Sequence, residues 1–128
     1  MLLYSALWDE VDLTPLYDDG KQYILPTVTG DDLELHEYQP GTDTRTGAFG
    51  ITESMGKLVT DYGTIDLAII PGRAFTTDGI RLGRGKGYYD RLLPQLACHT
   101  IGVCFPFQLL DELPAEPHDQ RVDEVIGA

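Results

Sequence analysis

The stretch Ile65-Asp66-Leu67-Ala68-Ile69-Ile70-Pro71 constrains this chain more than any other. A short, nearly continuous apolar run ended by proline is the pattern of a strand covered on both faces, and such strands lie inside parallel sheets. Parallel strands need a long connection between them. The segment after Pro71 meets that demand. Residues 72–87 form a loop rich in glycine and arginine, and 88–96 read as a helix that Pro94 bends or ends. Residues 100–105 read as a second buried strand. A short helix is expected near 108–113 and a last strand near 122–126. This strand–helix–strand alternation predicts an α/β layered domain with a mainly parallel sheet.

The first half is less regular. Residues 1–7 are an apolar run that fits a buried strand. Residues 12–19 predict at most two helical turns, with Asp12 as cap, Pro15 in the first turn and Gly20 as the stop. Residues 22–29 and 33–38 predict a hairpin turned at Gly30-Asp31-Asp32. Residues 39–54, rich in Gly, Thr and Pro, read as a surface loop. With no repeat, low-complexity tract or linker in view, one domain over 1–128 is expected. Apolar stretches fall far short of the ~20 residues of a membrane-spanning helix, and residues 1–4 lack the basic start of a signal peptide. Cys98 and Cys104 would lie about 20 Å apart along one strand, far beyond disulfide reach. Reduced thiols and a cytoplasmic setting are expected. Of the three histidines, none at metal-ligand spacing, His36 and His99 read as structural.

Acidic residues outnumber basic ones 21 to 9, for a net charge of −12. A nucleic-acid binder needs a broad cationic face, so nucleic acid is not an expected partner. The few cations are nevertheless concentrated: Arg73, Arg81, Arg84, Lys86 and Arg91 fall within one short segment. It contains Arg81-Leu82-Gly83-Arg84-Gly85-Lys86-Gly87-Tyr88-Tyr89-Asp90. Glycines at alternate positions let backbone N–H groups face an anion, ahead of a helix N-terminus, while Arg84 and Lys86 add full charge. The pattern predicts a polyphosphate site. It is neither a Walker A loop nor a Rossmann fingerprint. A merely flexible loop leaves the two tyrosines and the aspartate at its end unexplained. Asp90 has two readings: a carboxylate for Mg²⁺ beside the phosphates, or a first-turn acid that favours the helix dipole.

The residues from Asp66 to Val125 resemble the 5-formyltetrahydrofolate cyclo-ligase family, also called 5,10-methenyltetrahydrofolate synthetase. Arg81 to Asp90 carry most of the likeness, preceded by Ile70-Pro71-Gly72 and by Phe75 and Gly79. Glu116-Pro117-His118-Asp119 and Val122-Asp123-Glu124-Val125 match as well, and upstream Glu10-Val11, Leu25-Pro26-Thr27-Val28 and Phe49-Gly50-Ile51 with Glu53 match more weakly. The resemblance implies a three-layer α/β/α domain with ligands at the carboxyl ends of the strands. It also implies an ATP- and Mg²⁺-dependent ligase that closes 5-formyltetrahydrofolate to 5,10-methenyltetrahydrofolate, releasing ADP and phosphate.

By the same resemblance, Gly83, Gly85, Gly87 and Tyr88 line the triphosphate, with Arg81, Arg84 and Lys86 as charge partners. Arg84, Lys86 and Tyr88 are the expected catalytic residues. Asp90 and Asp119 would hold Mg²⁺, with His118 beside them. Tyr88 and Tyr89 border the folate, Glu10 binds it, and Leu3, Trp8 and Phe49 are candidate walls. Blander readings stand beside these: Asp119 as a turn residue, Glu10 as a loop acid, Trp8 and Phe49 as core. The family's basic helical segment ahead of the block that opens at Met1 has no match in these 128 residues. A shortened chain and a reduced family member are both consistent with that. The second functional reading is accordingly a nucleotide- or folate-binding member that does not turn over, and the third an unrelated phosphometabolite enzyme.

Overall fold

A computed structural model describes residues 1–18, 21–47, 50–113 and 120–128. Its strands, in chain order, are β1 (Tyr23–Thr29), β2 (Asp32–Tyr38), β3 (Thr44–Thr46), β4 (Thr52–Ser54), β5 (Leu58–Val59), β6 (Leu67–Ile70), β7 (Ala74–Thr76), β8 (Arg81–Leu82), β9 (His99–Cys104), β10 (Leu109–Leu110) and β11 (Glu124–Gly127). The α-helix among the described residues is α1 (Tyr88–Leu92).

The strand expected at 65–71 is β6, and it pairs in parallel with β9, Ile69 opposite Ile101. On the far side of β9 lies β11, also parallel. The hairpin is present too: β1 and β2 run antiparallel from Tyr23↔Tyr38 to Thr29↔Asp32, and β5 extends it. The two halves meet at Leu2. Its N–H bonds Leu67 O at 2.8 Å and its carbonyl accepts from Ile69 at 2.9 Å. On the other side Leu3 N–H reaches Ile24 O and Ile24 N–H reaches Met1 O, each at 2.9 Å. Leu2 thereby bridges β1 and β6 in parallel, which makes one mixed sheet ordered β11-β9-β6-Leu2-β1-β2-β5.

The sheet is therefore mixed: its pairings are parallel from β11 through Leu2 to β1, and β2 and β5 add an antiparallel end. The architecture of the described residues is mixed α/β. Other elements depart from expectation for local reasons. The apolar start contributes a single bridging residue, Leu2, and the chain leaves the sheet after Leu3. The helix expected at 12–19 is one 3₁₀ turn, Thr14–Leu16. The helix expected at 88–96 is α1 followed by a 3₁₀ turn at Leu93–Gln95, because Pro94 has no N–H for a further helical bond. Near 108–113 a 3₁₀ turn at Pro106–Gln108 leads directly into β10, which pairs with β7. The loops at 39–54 and 72–87 carry strands of their own, the β3–β4 and β7–β8 hairpins. Cys98, before β9, and Cys104, at its end, are free thiols.

Alternation along the central strands sends neighbours to opposite faces. Leu2, Ile24, Ala68 and Ile70 join one cluster with Phe75, Leu92 and Val122. Leu3, Tyr23, Leu25 and Ile69 join the other with Tyr4 and Leu13. Phe75 is fully buried, and a Cβ placed on Gly102 of β9 would come within 2.4 Å of its ring. That glycine is the space the ring occupies. No described helix is long and apolar enough to cross a membrane. Emptying the Phe75 site leaves a cavity between β7 and β9, so Phe75→Ala is expected to cost about 3–5 kcal/mol in urea unfolding.

Candidate functional site

The glycine loop follows β8, the edge of a separate small sheet ordered β10-β7-β8, in which Phe75 pairs with Arg81. Gly85 and Gly87 take φ of +92° and +72°, left-handed values that other residues adopt only with strain. Gly87 has a second reason to lack a side chain: a Cβ there would sit 2.7 Å from Arg91 Nη1. Arg91 holds the loop from below. Its Nη2 donates to Lys86 O and its Nε to Asp32 Oδ1, each at 3.1 Å, and its guanidinium lies over the Tyr88 ring at 5.7 Å. The loop is therefore anchored to both α1 and the β1–β2 hairpin.

Beside it opens a cleft of about 710 Å³. The run from Arg81 to Asp90 forms one side. The rest of the lining is largely apolar, with Leu7, Trp8, Pro26, Val28, Leu33 and Ile51. Tyr4, Ser5, Glu10, Pro71 and Gly72 complete the lining. Pro26 and Val28 reach it together because they are two apart on β1.

Three cations of the loop have different surroundings. Arg81 Nε donates to Pro71 O at 2.6 Å, and its guanidinium lies 4.9 Å from the centre of the Tyr89 ring. Burial pulls its pKa below the usual guanidinium value, against the opposing pull of Tyr89, Asp90 and Glu10. Tyr89 is pushed well above the ordinary phenol range by burial, with Arg81 offsetting part of it. Arg84 reaches outward, where Nη2 makes a short bond to Asp9 Oδ1 and lies 3.5 Å from Glu10 Oε2. That hydrogen bond holds the Asp9 carboxyl below its usual value. Lys86 has no ion-pair partner among the described residues. Glu10 is nearly buried, its side chain 7% exposed, and Oε1 accepts the Leu7 N–H at 2.8 Å.

The structure thus brings Arg81, Gly83, Arg84, Gly85, Lys86, Gly87, Tyr88, Tyr89, Asp90 and Glu10 to one cleft. Leu3 is a correction: it is fully buried in the core beneath, because strand alternation turns it away from the cleft. Trp8 is not core either; it stands 94% exposed at the rim. Phe49, His118 and Asp119 lie outside the described residues. Among the described residues no group of three or more His, Cys, Asp or Glu side chains is placed to hold a metal ion. Sequence reading missed Arg91 and Asp9. The signals were present, Arg91 one turn beyond Gly87 and Asp9 beside Glu10, but Asp32 and Arg84, the partners that place them at the site, are distant in the chain. It likewise missed the wall made by Pro26, Val28 and Ile51.

A family model described as the 5-formyltetrahydrofolate cyclo-ligase family matches residues 11–128. The chain belongs to this family. A 5-formyltetrahydrofolate cyclo-ligase of Mycolicibacterium smegmatis is 35% identical over 124 residues, 89% of this chain and 63% of that protein. One from Mus musculus is 43% identical over 70 residues, 50% of this chain and 34% of that protein. The chain spans less than two-thirds of the length of either relative. The solved structure of Aquifex aeolicus 5,10-methenyltetrahydrofolate synthetase superposes with a TM-score of 0.85 at 39% identity, over 98% of this chain and 66% of that one. A Mycoplasma pneumoniae 5,10-methenyltetrahydrofolate synthetase does so at 0.73 and 26% identity, over 98% and 71%.

In this cyclo-ligase-family chain the buried Tyr89 phenol makes a checkable contribution to stability. A phenol kept protonated by burial favours folding below about pH 10 and opposes it as pH climbs towards its raised folded value. Tyr89→Phe is expected to retain more of its neutral-pH stability above about pH 10 than the parent does, in urea unfolding at a series of alkaline pH values.

Proposed function

We propose that the cleft binds ATP and 5-formyltetrahydrofolate side by side and closes the folate to 5,10-methenyltetrahydrofolate, with release of ADP and phosphate. The observation that carries this reading is the sharing of one cleft by a cation-bearing glycine loop and a largely apolar wall. The first suits a polyphosphate, the second the flat rings of a folate.

In the reaction, the formamide oxygen takes the γ-phosphoryl group as its bond to ADP breaks. N10 then attacks the activated formyl carbon and loses its proton, and phosphate leaves with the former formyl oxygen. An amide oxygen departs readily only once it carries phosphate. Such a transfer asks the protein mainly for alignment and charge neutralisation. The backbone N–H groups of Gly83, Gly85 and Gly87 would cradle the phosphates. Lys86, free of a carboxylate among the described residues, would meet them directly, and Arg84 would join when it leaves Asp9. Arg81, held at Pro71 O, would supply positive charge from beneath the loop. α1 is only five residues long, so the helix N-terminus adds little and the side-chain cations matter most.

Tyr88 and Tyr89 would border the folate between loop and wall, and Glu10 would accept hydrogen bonds from the pterin edge. Mg²⁺ is held typically by one or two carboxylates plus substrate phosphates, and Asp90 on the cleft wall fits that role. Asp119 is the second carboxylate suggested by the sequence. When bound, the ion neutralises phosphate charge.

The chain is to be incubated with 5-formyltetrahydrofolate, ATP and Mg²⁺ while the ultraviolet absorbance of the methenyl product is followed. Product is expected, falling ~100-fold or more in Lys86→Ala and Asp90→Ala. Nucleotide binding without product would instead identify a binding member of the family. No response to either compound would remove both readings.

A further inference from the structure

Asp9 has no part in the phosphoryl transfer or ring closure, yet it makes a close charge-assisted contact at the cleft. We propose that Asp9 is a positioning residue: it draws the Arg84 guanidinium outward, so that Arg84 pairs only loosely with Glu10 and the Oε2 edge stays open to the substrate. The proposal rests on the folate reading of the cleft.

Glu10 has two oxygens and different neighbours on each. Oε1 is committed to the Leu7 N–H at 2.8 Å, and the Glu10 N–H returns to Leu7 O at 3.0 Å. That turn fixes where the carboxylate points. Oε2 has no backbone donor among the described residues and faces Arg84 Nη2 at 3.5 Å. A good charge-assisted bond of this type spans about 2.7–2.9 Å, so this ion pair is a loose one. The same Nη2 is held at shorter range by Asp9 Oδ1, which draws the guanidinium towards the outer acid.

Asp9 is the more accessible of the two acids, 25% exposed at the side chain against 7% for Glu10. Arg81 and Lys86, the other cations lining the cleft, repel Arg84 and favour its outward position. Neutralise Asp9, and Glu10 Oε2 becomes the nearest charged acceptor for Arg84. A small swing of the guanidinium would then close the gap. With Oε1 on Leu7 and Oε2 tightly paired to Arg84, the guanidinium would cover the open edge of Glu10 and offset its charge, leaving a poorer acceptor for a substrate N–H.

The chain carries its own reporter. Trp8 is its single tryptophan and stands at the rim of this cleft, so its fluorescence reads occupancy without turnover. The test is a titration with 5-formyltetrahydrofolate in the absence of nucleotide, repeated by equilibrium dialysis. Asp9→Asn is expected to weaken binding about tenfold, the scale of one charged hydrogen bond. Asp9→Glu should restore most of the loss. Adding Arg84→Met to Asp9→Asn should bring affinity back towards the parent, because the masking cation is gone; a merely structural role for Asp9 would not be repaired by removing a second side chain. Parent-like binding by Asp9→Asn, or a double variant no better than the single, overturns the proposal and leaves the folate reading intact. A parent chain that binds no folate overturns both.

Discussion

Backbone hydrogen bonds at Met1, Leu2 and Leu3 join the parallel strands β6, β9 and β11 to the antiparallel hairpin β1–β2. A single extended residue can do this because its N–H and C=O face one neighbour while those of the adjoining residues face the other. Leu2 and Leu3 also send their side chains into opposite cores. The same residues set the course of the next segment. The chain leaves the sheet at Tyr4, whose hydroxyl donates to Val11 O at 2.8 Å, and the residues between pass over the cleft. Glu10, Asp9 and Trp8 face the glycine loop because Leu2 is fastened between two strands.

The loop is held from the other side. Arg91 spans Lys86 O, Tyr88 and Asp32, coupling the loop to the hairpin that also provides the apolar wall. Both walls of the cleft are therefore referred to one sheet, an arrangement that limits how far they can drift apart. In a protein of net charge −12, such a site must keep its cations from being neutralised by nearby acids. Arg81 does so by burial against Tyr89, and Lys86 by having no described acid within ion-pair distance. Arg84 is the exception, shared between Asp9 and Glu10.

Much of this was legible from residues alone where the signal is local. The apolar run at β6 is readable because a strand buried on both faces needs continuous apolarity. The β1–β2 hairpin is readable from Gly30 between two apolar segments, and the loop from glycines alternating with cations. Short elements were not legible. β5, β8 and β10 are two residues each, and no periodicity exists over two residues. The helices were overstated because capping signals and proline mark where a helix can start or stop, not how many turns fill the space between.

By itself the sequence determined the chemistry on offer: an anion-seeking loop, a pair of tyrosines and an acid at its end, and the likeness to a folate-converting family, all contiguous in the chain. Only the tertiary structure decided what stands opposite that loop. Leu3 was turned into the core and Trp8 out to the rim, although both lie within one short segment. Asp9 was matched with Arg84, a partner 75 residues away. Strand alternation and chain crossing set those placements, and both depend on contacts between segments that no local pattern encodes.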